Sequence, residues 1–238
     1  MQTVFKGQAL HLISLTLLLA GVIALADSSV LTGQFLGIST VSWLIVAIAI
    51  PIAHQVYVWF VWRAELHHAW ISHWFGKKSF YYYAVGFSIL LISRLLSIIA
   101  LAVANQNTLP LDPTLATGLA LAISLPALYL FWSVYRYFGF QRAFGIDHFD
   151  PHYRSVPLVK EGIFRFTDNG MYVFGFLVLW IPGLLCLSQA ALLAALFNHL
   201  YIWVHYYATE RPDIDFIYGP AVKGRSHGST GKTSQHEN

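Results

Sequence analysis

Residues 158–219 read LVKEGIFRFTDNGMYVFGFLVLWIPGLLCLSQAALLAALFNHLYIWVHYYATERPDIDFIYG, with polar residues gathered at the two ends and two apolar runs between them. The runs, 171–187 and 190–207, are parted by Pro182-Gly183 and Ser188-Gln189, residue types that mark a tight turn. The stretch therefore reads as a helical hairpin whose polar ends, before Tyr172 and after Tyr206, return to one side. Everything upstream has to fit that side.

Composition says what the hairpin crosses. Hydrophobic types make up 57% of the 238 residues and charged types 11%, whereas a soluble domain carries about 25% charged residues. The chain reads as an integral membrane protein, with Phe, Trp and Tyr (16% together) suited to the boundary between lipid and water. Four further runs, 8–26, 40–62, 80–104 and 115–138, reach the roughly 17–25 residues that a spanning helix needs. The first ends Ala24-Leu25-Ala26-Asp27, like a leader cleavage site, but its length favours a retained span. Pro51 and Pro126 are expected to kink their helices while neighbouring helices satisfy the freed carbonyls. The expected fold class is all-α, a polytopic transmembrane bundle of about six spans with a C-terminal helical hairpin.

Basic residues support that count. They occur at Lys6, at Arg63, Lys77 and Lys78, from Arg136 to Arg165, and from Arg211 onward, while connections 27–39 and 105–114 and the hairpin turn contain none. Six spans place all of these cations on one face, which the positive-inside rule makes cytoplasmic. Both termini then lie on that face, in a bacterial inner membrane or the endoplasmic reticulum. Residues 1–219 read as a single membrane domain, with 158–219 as its loop and hairpin, and 220–238 as a flexible polar tail. The net charge of +3 is absorbed by topology, so no nucleic-acid partner is expected. Cys186 stands alone and excludes an internal disulfide. The oligomeric state is left open.

Arg94 is the only charge deep within a span, where it costs at least about 2.5–3.5 kcal/mol. It must face protein or water, either as a clamp on a phosphate or carboxylate or as half of a structural pair. His67, His68, His148 and His152 lie near helix ends, where imidazoles suit iron. Repeated His-x-x-His-His boxes are absent, and no metal site is expected.

Leu158-Val-Lys-Glu-Gly162-Ile-Phe164-Arg165 and the following Asn169-Gly-Met171-Tyr172 resemble the loop-to-helix segment of integral membrane methyltransferases, Leu-Val-Thr-x-Gly-Pro-Tyr-Arg then Arg-His-Pro-x-Tyr. Within that superfamily, which includes isoprenylcysteine carboxyl and phospholipid methyltransferases, Asp168-Asn169-Gly170-Met171-Tyr172 is most similar to the Asp-Asn-Pro-Met-Tyr of phosphatidylethanolamine N-methyltransferases. Glu210-Arg211-Pro212 with Ile217-Tyr218 is similar to their Glu-Glu-Pro and downstream Ile-Tyr. The resemblance covers about a quarter of the chain. Gly170 stands where the family has Pro, Gly175 lies one residue beyond the family glycine, and Arg211 takes the second acidic position.

The resemblance implies S-adenosyl-L-methionine as cofactor and a membrane-embedded acceptor, first the amine of phosphatidylethanolamine, then a prenylcysteine carboxylate or thiol. The cofactor set is then Arg165, Asn169, Gly170, Met171, Tyr172, Gly175, Tyr206, Glu210 and Arg211. In chemical terms Glu210 suits an ammonium, and Arg165 or Arg211 suits a carboxylate through its guanidinium fork. Tyr172, Trp203, Tyr206 and Tyr207 offer aromatic faces to a cation, and Gly170 and Gly175 allow close approach to backbone. Glu210 and His205 are the candidates to take a proton from the acceptor, and Arg94 and His199 to bind it. Two other classes stay open: a membrane oxidoreductase, either sterol-reductase-like with a dinucleotide or a His-ligated iron hydroxylase, and a scaffold without catalysis.

Overall fold

The structure is a computed structural model that describes residues 4–157 and 159–228, those beyond Gly219 as backbone only. Leu158, which opens the methyltransferase-like segment, and residues 229–238 of the expected polar tail lie outside the described residues. The backbone of the last helix continues through the first part of that tail, to Gly228.

Helices α1 (Gln8–Leu25), α2 (Thr40–His68), α4 (Ser79–Ala104) and α5 (Pro113–Ser133) realise the first four apolar runs. With their short extensions they are long and apolar enough to cross a membrane. Between α1 and α2 a small hairpin pairs Gln34 with Ser39 and Phe35 with Ile38, and its turn residues Leu36 and Gly37 both take positive φ, as a two-residue turn requires. Short α3 (Trp70–Phe75) follows α2 through Ala69, held at φ 51°.

The C-terminal hairpin forms, but its first arm is a broken helix. Helix α7 (Gly170–Phe174) passes into a 3₁₀ turn at Gly175–Leu179 and then α8 (Ile181–Leu185). The second arm is α9 (Gln189–His205), capped where Ser188 Oγ accepts from Ala191 N at 3.2 Å. Asn105 ties this turn to the other loops on the same side, since Oδ1 accepts from Ser188 Oγ (3.1 Å) and Ala190 N (3.0 Å) while Nδ2 donates to Val30 O (2.6 Å).

Helix α2 packs along α4 and α9, α1 lies against α9, and α5 lies against the broken arm. Small residues line the central contacts, with Ala47, Ala191, Ala194 and Ala195 buried beside Ile98, Leu101 and Tyr201. Small side chains let spanning helices approach closely enough for dispersion to hold them in lipid. Leu17, Ile23, Leu121 and Leu125 remain exposed on α1 and α5, an apolar belt that only a bilayer covers.

Two prolines show how freed carbonyls are used. Pro51 cannot donate to Ala47 O, and Asn198 Nδ2, reaching across from α9, does so at 3.4 Å. Pro212 likewise leaves Ala208 O without its helical donor. The chain there widens into a π turn at Tyr206–Glu210 before α10 (Arg211–Gly228), and Arg63 donates to Ala208 O and Thr209 O, each at 3.2 Å. Arg63 is thus a correction to the sequence reading. It was expected as a loop cation marking the cytoplasmic side, yet it lies inside α2, 1% exposed. Its Nε meets Asp213 at 3.0 Å and its Nη1 donates to Val4 O and Lys6 O.

The connection 139–169 is built from short helical pieces: α6 (Phe140–Ala143) and 3₁₀ turns at Ile146–His148, Pro151–Ser155 and Gly162–Arg165. Ser133 at the end of α5 anchors it, accepting from Ile163 N at 3.1 Å. Gly162 turns at φ 60° with its α-carbon against Ser133, so a side chain there meets both strain and a clash.

Candidate functional site

The two polar ends of the hairpin meet through one side-chain contact, in which the Tyr172 hydroxyl donates to a Glu210 carboxylate oxygen. Tyr172 comes from the first turn of α7 and Glu210 from the π turn that ends α9. A wider turn re-aims the side chains that follow it, and such turns are frequent at working sites. Trp203 and Tyr206 flank Tyr172, with ring centroids 5.8 and 5.7 Å away, and Tyr207 packs on Tyr206 at 5.0 Å. The result is a half-buried carboxylate set in an aromatic wall.

Burial pushes the Glu210 carboxyl up to about 8, the nearby acids Asp147 and Asp213 adding to the rise and His148 opposing it. At neutral pH the acid is largely uncharged, with an oxygen that accepts from the Tyr172 hydroxyl, and a cation arriving beside it restores the carboxylate. Outside the wall a groove of about 260 Å³ is lined by Leu10, Ser14, Leu200, Trp203, Val204 and Tyr207, between α1 and α9.

A cluster next to the site brings together His148 and Tyr218, which the sequence offers separately, with Asp147, Asp213 and Trp62, which it does not single out. His148 is buried and stacks on Trp62, ring centroids 4.2 Å apart at 19°. Its Nδ1 lies 3.2 Å from Asp147 and its Nε2 3.6 Å from Asp213, the second an ion-pair separation rather than a hydrogen bond. Burial alone would lower this imidazole, but the two carboxylates raise it to about 9. Burial would conversely raise Asp147, which His148 and Tyr218 hold below its usual value; Tyr218 Oη donates to it at 2.7 Å. The cluster joins α2, the 139–169 connection and α10 into one block behind Glu210.

The remaining expected residues separate into three groups. Gly170, Met171 and Gly175 face the packed side of α7. A side chain at Gly170 would touch Ile163 and Phe164, one at Gly175 would meet Leu130, and Met171 packs on that same cluster. Gly170 thus adjoins the Gly162–Arg165 turn and Gly175 adjoins α5. Asn169 precedes α7, and its carbonyl accepts from Tyr172 N (3.0 Å) and Val173 N (3.1 Å). Arg165 and Arg211 are exposed, one before α7 and the other directly after Glu210.

The third group lies deeper. His205 is 2% exposed, 5.9 Å from Trp62 by ring centroids, and neither ring nitrogen has a partner among the described residues. His199 accepts from Trp180 Nε1 at 3.1 Å and packs on Phe176. Arg94 is 3% exposed with its guanidinium carbon 5.4 Å from the Phe176 ring centroid. Among the described residues no carboxylate pairs with Arg94, and no group of three or more His, Cys, Asp and Glu side chains is arranged to hold a metal ion.

Residues 114–221 match the family model described as phospholipid methyltransferase. The matched segment runs from the first turn of α5 into α10 and contains Tyr172, Glu210 and the aromatic wall, so the likeness to that family takes in the candidate site. The family consists of S-adenosylmethionine-dependent methyltransferases, and the chain is an enzyme of the methyltransferase class. No curated protein and no solved structure matches the chain. Helices α1, α2 and α4, with His54 and Arg94, precede the matched segment.

Proposed function

We propose that the chain methylates the amine of a membrane phospholipid, phosphatidylethanolamine, from S-adenosylmethionine bound at the cytoplasmic ends of α7 and α9. The observation that carries this reading is the Tyr172–Glu210 pair in its aromatic wall. The residues present suit the cofactor: a carboxylate raised by burial is ready to ionise against an ammonium, and aromatic faces attract a cation. S-adenosylmethionine supplies, when bound, a methyl group on a cationic sulfur. Glu210 holds the amino end, with Tyr172 fixing its carboxylate, and Arg211 or Arg165 pairs with the acid end.

The rest of the work is orientation. Holding amine and methyl in line converts a bimolecular encounter into a local step. The acceptor amine has to lose its proton first, and Glu210 or His205, the latter with both ring nitrogens unpartnered among the described residues, would take it. The groove between α1 and α9 offers lateral entry from the lipid, which fits an acceptor that never leaves the bilayer.

Calorimetry of the purified protein in detergent tests this directly. Saturable binding of S-adenosylmethionine is expected, weakened in Glu210→Gln, together with transfer of labelled methyl to phosphatidylethanolamine in nanodiscs. Absence of binding at millimolar cofactor, or binding of a dinucleotide instead, overturns the reading.

A further inference from the structure

A second group of polar side chains, apart from the Tyr172–Glu210 pair, lies buried between α2, α4 and α9. Arg94 Nε and both ring nitrogens of His54 have no hydrogen-bond partner among the described residues, although the two residues are 3% and 2% exposed. Interiors leave few polar atoms unsatisfied, and a buried guanidinium Nε left unpartnered at membrane depth is least expected of all. Nearby Tyr201 is already engaged, its hydroxyl 2.7 Å from His11 Nε2. Among the described residues no carboxylate lies within ion-pair distance of Arg94. The one aromatic face offered to it among the described residues is the Phe176 ring, which is a weak partner for a cation that could instead hold an anion.

Its depth relates it to the reaction site. Phe176, whose ring Arg94 faces, follows Tyr172 by four residues on the broken arm, so this ring lies about one turn, ~5 Å, along the arm from the partner of Glu210. In an amphiphile whose polar end points to the Glu210 side, the anion next to the accepting group falls at this level. We propose that Arg94, assisted by His54, forms an anion subsite for the acceptor, taking the phosphate or carboxylate of its head group. The site rests on the acceptor reading above, and both residues lie outside the family-matched segment, in the helices that precede it.

Testing needs a readout other than methyl transfer. Cofactor-free protein in a neutral maltoside detergent is titrated with dodecyl phosphate, laurate and, as the uncharged control, dodecanol, while thermal unfolding is followed. An anion should raise the melting temperature by several degrees over dodecanol in the wild type. The added shift should vanish in Arg94→Gln, return in part in Arg94→Lys, and shrink in His54→Phe. A larger response to dodecyl phosphate assigns the subsite to a phospholipid, and a larger response to laurate to a carboxylate amphiphile. In nanodiscs Arg94→Gln should raise the KM for phosphatidylethanolamine at least tenfold and that for hexadecylamine, which has no anion, less than twofold, with cofactor affinity unchanged. Equal shifts by all three amphiphiles, or an anion shift that survives Arg94→Gln, overturns the proposal even if S-adenosylmethionine binds. An Arg94-dependent shift in a protein that binds no S-adenosylmethionine upholds the subsite and rejects the methyl-transfer reading. Arg94→Met separates a structural role, because it should melt no lower than the wild type; a clear drop means that Arg94 holds the bundle together instead.

Discussion

Two arginines in this protein are almost equally buried and have opposite surroundings. Arg63 spends its guanidinium on Asp213 and on four backbone carbonyls, drawing the N-terminal segment, α2, the π turn and α10 together. Arg94, one helix pair away, has an aromatic ring beside it and no acid among the described residues. A buried charge that is fully partnered within the chain is scaffold, since its partners were made to fit it. One that is left unpartnered is tolerated for what it will hold. The same distinction applies to the carboxylates, with Asp213 locked in an ion pair and Glu210 bound only by Tyr172 and kept near neutrality by burial.

The contrast is broken most forcefully at the partnered end. Arg63→Met leaves buried Asp213 with only the His148 imidazole, 3.6 Å away, as a counter-charge and takes a donor from four backbone carbonyls, and should cost about 3–5 kcal/mol of stability. Unfolding of the detergent-solubilised variant checks this, and a loss below about 1 kcal/mol would put Arg63 outside the scaffold. Next is Glu210→Gln, which removes a charge-assisted bond of about 1.5–3 kcal/mol and should weaken S-adenosylmethionine about ten- to a hundredfold without lowering the melting temperature. In the wild type that affinity should rise with pH up to about 8, as the Glu210 carboxyl ionises, and calorimetry across pH should find the rise absent from the Gln variant.

Two smaller effects sharpen the comparison. The imidazole of His148, raised from its ordinary 6.5 to about 9, gives a stability contribution that is complete below pH 6.5 and disappears as pH climbs through 9. Its full size is of order 1–3 kcal/mol, so the melting temperature should fall over that window in the wild type and stay nearly flat in His148→Gln. Tyr172→Phe removes one hydrogen bond to Glu210, worth about 0.5–1.5 kcal/mol, and should weaken the cofactor roughly two- to tenfold in a binding titration while leaving the fold intact.

Much of this protein could be read in the chain before any coordinate. Apolar runs of spanning length gave the first four long helices, and Ser188 capping α9 was visible as a turn residue before an apolar run. That the Tyr172 and Glu210 motifs lie on one side was legible as two motifs separated by one hairpin, because a hairpin must return its ends to the same side, whereas the contact between the two side chains was not. The broken arm was less visible: Gly175 and Pro182 are weak punctuation inside an apolar run, and packing on α5 decides where the helix tightens. Arg63 was misread for a physical reason. A cation at the end of an apolar run carries the same local signal whether it lies in water or is buried on an acid that is 150 residues away.

What the sequence by itself determined is the part that depends on short-range chemistry: which segments prefer lipid, where turns fall, and which polar groups flank the hairpin. Only the tertiary structure decided which charges are satisfied. Arg63 and Arg94 are the same side chain in similarly apolar helices. One finds Asp213 because Pro212 and the π turn bring α10 against α2, and the other finds no acid among the described residues where α2, α4 and α9 enclose it. Satisfaction of a buried charge is set by distant segments arriving within about 3 Å, and nothing within a few residues of either arginine encodes that arrival.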